Sequence, residues 1–284
     1  MRGAALSHES AGNAAGLARD YYDSSDVDGF YATVWGGEDI HIGTYEHERE
    51  TVADASRRTV EKAADKVADF LGPGSRVLDL GSGYGGAARY LAGCFGCRVV
   101  ALNISESQNQ RHRKTNVERG LADLIEVVTG SFEDVPYEDG YFDVVWSQKA
   151  FCHSDERAKV LSEAVRVLNP GGRLVFTDLM AADDAPPNAL RPAVSRLGVE
   201  AMATPGFYRQ HLAELGLSHV DFEDRSEHLL THYLRILEET QRGGPELRAA
   251  VSPAYLDGLL ENLPLWVDAS RNGHLSSGIF HCHR

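Results

Sequence analysis

The sequence predicts an α/β fold built on a parallel, doubly wound sheet, and three observations carry that expectation. An apolar run at 77–80 turns without a linker into the glycine-rich bend Gly81-Ser82-Gly83-Tyr84-Gly85-Gly86. Downstream, short apolar runs alternate with segments of helical spacing, the mark of parallel strands joined by crossover helices. Glycine and proline clusters, Gly72-Pro73-Gly74, Asp139-Gly140 and Asn169-Pro170-Gly171-Gly172, punctuate the alternation where such elements must stop.

Taken in order, residues 1–19 are rich in Ala, Gly and Ser and read as a loose or weakly helical arm, of a kind that can pack on a neighbouring subunit in a homo-oligomer. Tyr21, Tyr22, Phe30, Tyr31 and Trp35 then crowd beside Gly36-Gly37. They read as an aromatic pocket lid, with an ordinary aromatic core as the alternative. Residues 50–71 carry apolar positions at helical spacing up to the Gly-Pro-Gly stop. After the bend come helix 87–95, strand 98–102, helix 105–119 with Ser105 as its N-cap, and strand 124–128. Strand 142–146 delivers Ser147, Gln148, Lys149, Phe151, Cys152 and His153 to the carboxyl edge of the sheet, where ligands of open α/β sheets bind. Helix 154–168 and strand 173–177 follow. Prolines between 180 and 206 spoil any long element and predict an inserted cap. Helix 207–215, strand 220–224, helices 228–241 and 253–271 (disturbed at Pro264) and strand 275–283 complete the chain. The expected organisation is an N-terminal arm and lid over 1–48 and one domain over 49–284, with the cap at about 180–206.

Composition narrows the function classes. Lys and Arg number 28 against 42 Asp and Glu, a net charge of −14 with no basic block, so nucleic acid and anionic membrane are poor partners. The chain lacks an apolar run of membrane-spanning length and a signal-peptide pattern, which predicts a cytosolic protein acting on a small molecule. Cys94 and Cys97 form a lone Cys-x-x-Cys and read as packing residues. His281, Cys282 and His283 alternate faces on a strand and cannot chelate one ion together; no metal is expected.

Two nucleotide readings compete for the bend. Gly81-x-Gly83-x-x-Gly86 fits a dinucleotide fingerprint, but the strand that should end in a ribose-binding acid ends in Asn103. The other spacing, Asp79-x-Gly81-x-Gly83-x-Gly85, puts a carboxylate two positions before the first glycine, and it resembles the first motif of the class I methyltransferases that use S-adenosylmethionine (SAM). That resemblance implies a Rossmann-like seven-stranded sheet, SAM as cofactor, and a cofactor set of Asp79, Gly81, Ser82, Gly83, Asn103, Gln108, Ser131, Phe132, Ser147 and Gln148. Methyl transfer from a sulfonium needs positioning and exclusion of water more than covalent help. His153 and Tyr21 are the candidate catalytic residues. Tyr22, Trp35, Lys149, Phe151, Phe207 and Tyr208 are the candidate acceptor residues.

Several segments narrow the resemblance. Tyr21-Tyr22-Asp23, the run from Trp35 to Gly43, the glycine bend, Gly130-Ser131-Phe132, Ser147-Gln148, His153-Ser154 and Pro205-Gly206-Phe207-Tyr208-Arg209 together resemble the sarcosine/dimethylglycine N-methyltransferase family. Departures fall on the acceptor side: Lys149 where the family has Asp, Cys152 in place of a larger apolar residue, a different cap at 195–202, and Ser277 where the family tends to have Trp. These departures, and a general resemblance to teleocidin-type indole terpenoid C-methyltransferases, point to a prenyl olefin of an indole natural product as the favoured acceptor, methylated on carbon with cyclisation to follow. N-methylation of sarcosine or dimethylglycine toward glycine betaine is the alternative.

Overall fold

Buried β-branched and leucine side chains on both faces make the central strands, and helices cover those faces. The computed structural model describes Gly16 and residues 23–194 and 201–284. The strands are β1 (Arg76–Leu80), β2 (Arg98–Asn103), β3 (Ile125–Thr129), β4 (Phe142–Gln148), β5 (Leu168–Ala181), β6 (Ser218–Asp224) and β7 (Leu275–His283). They form one seven-stranded sheet in the order β3-β2-β1-β4-β5-β7-β6. The pairs among β1 to β5 are parallel, while β7 runs antiparallel to both β5 and β6. The order reverses between β1 and β4, and a ligand crevice belongs at that switch point.

The helices are α1 (Ser25–Val34), α2 (Val52–Asp65), α3 (Gly86–Phe95), α4 (Glu106–Glu118), α5 (Arg157–Val167), α6 (Arg191–Val194), α7 (Pro205–Glu214), α8 (Glu227–Arg242), α9 (Pro245–Ala250) and α10 (Pro253–Arg271). Ser105 caps α4 as expected, its hydroxyl accepting from the Gln108 N–H. Thr51 and Thr204 cap α2 and α7 in the same way.

Several expectations need correcting. The strand expected at 173–177 extends over Leu168–Ala181, because β7 pairs along it from Arg173 to Ala181. The helix expected from 154 starts at Arg157, since a 3-10 turn at Phe151–His153 takes up the approach. Helix α10 has its expected limits, with Pro264 inside it. Cys94 is exposed, and of the Cys-x-x-Cys pair only Cys97 is buried packing. The cap expected at 180–206 is a small part of the cover; residues 195–200 lie outside the described ones. Most of the cover comes from α8, α9 and α10, inserted between β6 and β7, which share a hydrophobic cluster with α1 and α6. Phe30, Tyr31 and Trp35 are buried in that cluster. Their rings therefore fill an ordinary core between α1 and α8–α10, where burying large apolar area stabilises most. Among the described residues no helix is long and apolar enough to cross a membrane.

Candidate active site

The glycine bend shapes the site because its backbone takes a course closed to other residues. Gly81, Gly83 and Gly85 have φ of +76°, +53° and +80°, the left-handed region that costs a residue bearing a Cβ about 1–2 kcal/mol. Space forbids a side chain as well: a Cβ on Gly81 would lie 2.3 Å from the Ala150 Cβ, and one on Gly85 would lie 1.9 Å from the His112 ring. Gly81 and Ser82 donate their N–H groups to the Leu102 carbonyl, which locks the bend onto the end of β2. The N-terminus of α3 follows directly, with its unpaired N–H groups and partial positive charge.

Beside this bend lies a cavity of about 900 Å³, open mouth included. Asp79, Gly81, Ser82, Gly83, Asn103, Gln108, Ser131, Phe132, Gln148, Lys149 and His153 all line it. The structure thus brings together nine of the ten expected cofactor residues, with one acceptor and one catalytic candidate. Ser147 is the exception: its hydroxyl donates to the Leu80 carbonyl at 2.8 Å and ties β4 to β1 beneath the cavity. A buried hydroxyl takes the nearest carbonyl when it would otherwise be orphaned.

Four acceptor candidates lie elsewhere. The Trp35 indole N–H donates to the His41 carbonyl at 3.2 Å, so this ring props the chain at His41 from behind. Phe151 is fully buried between Phe132 and Phe176. Tyr208, also fully buried, donates its hydroxyl to Asp178 Oδ2 at 2.6 Å. Phe207 packs over His211 with ring centroids 4.0 Å apart. Periodicity could place these rings on the right elements but not on the right faces, and each faces the core. Tyr21 and Tyr22 lie outside the described residues.

Sequence reasoning missed Glu38, Asp39, Ile40, His41, Ile104, Glu133 and Ala150, which also line the cavity. A signal existed, since Glu38 to His41 fall inside the Trp35–Gly43 segment. Glu38 pairs with Arg57, Arg89 and Arg119, and Asp39 Oδ2 pairs with Arg57 at 2.9 Å.

The electrostatics of the lining separate into two kinds of group. Burial, and secondarily the charge of Asp39, raises the Asp79 carboxyl to about 7. Burial raises Asp39 to about 6 against the pull of Arg57. Burial pushes the imidazoles the other way: His41 and His153 are lowered to about 3 and stay neutral at pH 7. Lys149 is likewise lowered, first by burial.

The chain's own atoms fit SAM. Asp79 Oδ2 and Asp39 Oδ1 are buried acceptors without a partner, as a cationic amino group requires; the Gln148 amide is likewise unmatched. The Asn103 NH₂ group is occupied by Gln108, Asn109 and Ser105, so its carbonyl oxygen is what remains for a ribose hydroxyl. Phe132 and Ile104 supply apolar surface for a base.

A sheet of this order with an acid–glycine bend at its switch point defines a class I methyltransferase, and the methyl donor is S-adenosylmethionine. A family model described as a methyltransferase domain matches residues 78–176. The sarcosine/dimethylglycine N-methyltransferase of Halorhodospira halochloris is 52% identical over 264 residues, 93% of this chain and 94% of that one. That of Aphanothece halophytica is 45% identical over 267 residues, 94% of this chain and 96% of that one. A crystal structure described as a sarcosine dimethylglycine methyltransferase from Galdieria sulphuraria superposes with a TM-score of 0.87 at 38% identity, covering 93% of this chain and 98% of that one. The chain belongs to the sarcosine/dimethylglycine N-methyltransferase family and is a SAM-dependent methyltransferase. These relatives overturn the favoured expectation of terpenoid C-methylation. The acceptor-side departures that suggested it are local, and the similarity to N-methyltransferases runs over nearly the whole chain.

Proposed function

We propose that the protein methylates the amine nitrogen of sarcosine or dimethylglycine, leading toward glycine betaine. The observation that carries this reading is the 52% identity to an N-methyltransferase of those two compounds across 93% of the chain. The cavity supports it in a second way. Trp35, Phe151, Phe207 and Tyr208 face away from it, while His41, Lys149 and His153 line it. These three polar side chains suit a small charged amine and would offer nucleophiles to a carbocation.

When bound, SAM supplies a methyl group already activated by its sulfonium. The chain then has to hold the acceptor nitrogen in line and keep water out. Asp79 and Asp39 would take the amino group at the methionine end, Gln148 its neighbouring polar atoms, and Asn103, Gln108, Ser131 and Phe132 the nucleoside. His153, neutral at pH 7, can accept a hydrogen bond from an acceptor amine. Taking the proton outright from an alkylammonium near 10.4 onto an imidazole at about 3 would cost on the order of 10 kcal/mol. His153 is therefore a positioning acceptor, and the acceptor loses its proton to solvent before the chemistry.

Initial rates with labelled SAM test the reading. Sarcosine and dimethylglycine should each yield labelled product with release of S-adenosylhomocysteine. Transfer to neither, in protein that binds S-adenosylhomocysteine, would overturn it.

A further inference from the structure

Lys149 lines both the cofactor cavity and a second cavity of about 300 Å³. Its backbone is left-handed, φ 48°, and is held there by its N–H donating to the Thr177 carbonyl at 2.8 Å. A non-glycine residue in that region costs of order 1–3 kcal/mol, and surroundings that enforce such strain fix where the side chain goes. The second cavity has a mixed lining, with Thr44, Thr59, Thr177, Ser277, Arg225 and Asp178 beside Ile42 and Ile279.

The charge pattern around Lys149 is one-sided. Among the described residues lining the cofactor cavity it is the sole lysine or arginine, against Glu38, Asp39, Asp79 and Glu133. The histidines beside it, His41 and His153, are neutral at pH 7 and cannot hold an anion by charge. Asp178, the carboxylate that acts on Lys149, has both oxygens engaged: Oδ1 accepts from the Cys152 N–H at 3.2 Å and Oδ2 from the Tyr208 hydroxyl. Among the side chains lining this cavity, Lys149 is therefore the one that can hold an anion by charge. Bringing a carboxylate to a buried ammonium also restores the ammonium's preference for its charged form.

We propose that the Lys149 ammonium anchors the carboxylate of the acceptor and is the specificity-determining residue for amino-acid acceptors over neutral amines. This rests on the N-methylation reading and adds the group that recognises the acid.

The test compares dimethylglycine with its neutral isostere N,N-dimethylglycinamide in wild type, Lys149→Met and Lys149→Arg. Wild type should prefer the acid. Lys149→Met should lose about 100-fold in kcat/KM for the acid, mostly through KM, and little for the amide, as expected for a lost charge-assisted hydrogen bond. Lys149→Arg should retain most of the preference. Unchanged affinity for S-adenosylhomocysteine in each variant shows that the fold is kept. An undiminished preference for the acid in Lys149→Met, or equal losses on both compounds, would overturn the assignment while leaving N-methylation standing. If wild type methylates neither compound, the acceptor reading fails. The anchor is then read from acetate binding to the S-adenosylhomocysteine complex, which Lys149→Met should weaken at least about tenfold and which would refute the anchor if unchanged.

Discussion

At the scale of single residues, Asp79 carries the sharpest expectation. Its carboxyl, raised to about 7 by burial and by Asp39, must ionise to hold a cationic amino group. SAM affinity should therefore fall as pH drops below about 7, and Asp79→Asn should weaken binding by about 30-fold, the worth of a lost charge-assisted bond. Calorimetric titration from pH 8 to pH 6 checks both; a flat affinity in wild type would mean the carboxylate lies outside the cofactor contacts. His153 carries the complementary expectation. Because burial lowers it to about 3, no limb of the rate profile should fall near 6.5, and His153→Asn should keep much of the activity by keeping an acceptor atom. The rate should instead rise with pH as the free amine of the acceptor accumulates. Asp79 and Gly81 were legible in the sequence because motif chemistry depends on residue type and spacing alone. Asp39 and His41 were not, because their value comes from being buried beside Asp79, which no local pattern records.

At the scale of elements, the glycine bend and the β5–α7 contact make different demands. Gly81→Ala places a Cβ 2.3 Å from the Ala150 Cβ at a left-handed φ. We expect a loss of about 2–4 kcal/mol in stability from strain and overpacking, with SAM binding lost as the bend shifts. Denaturant midpoints and binding isotherms measure the two effects. Tyr208→Phe removes one of the two bonds to buried Asp178 and should cost about 1–3 kcal/mol without touching the cavity, so kcat in folded protein should change little. A collapse of kcat would mean that Tyr208 reaches the acceptor after all. Element order was readable from the 2.0 and 3.6 periodicities, and the last strand was expected at its observed limits, 275–283. What periodicity could not supply was partnership. β5 is long because β7 pairs along it, and Trp35, Phe151 and Tyr208 face inward because their neighbours in space, α8, Phe176 and Asp178, are distant in sequence. A ring on a helix or strand end has the same signature whether it lines a cavity or fills a core.

At the scale of the whole molecule, titration of the buried groups sets the pH range of stability. His41, His112 and His153 are each lowered from 6.5 to about 3. Between those values the unfolded chain binds the extra protons, so stability falls as pH drops through this window. Asp39 and Asp79, raised to about 6 and about 7, act in the opposite sense, since the folded state takes their protons first as pH falls toward 4. His232 and His281 are lowered too, against Asp178 raised, so the histidines outnumber the carboxylates and the net is a loss of stability by pH 5. Bound SAM should steepen it, because carboxylates paired with a cation no longer take protons early. Urea midpoints at pH 7 and pH 5, with and without S-adenosylhomocysteine, measure that difference; a protein more stable at pH 5 would contradict the assigned burial. The sheet, the acid–glycine bend and the helical cover together frame one cavity for donor and acceptor, and the proposed function stands on which atom receives the methyl group. The most direct measurement offers methyl-labelled SAM to the purified protein with dimethylglycine and a prenylated indole at equal concentration, followed by mass analysis of both. The account predicts label on the dimethylglycine nitrogen as glycine betaine and none on the indole; label on the indole carbon skeleton alone would contradict it.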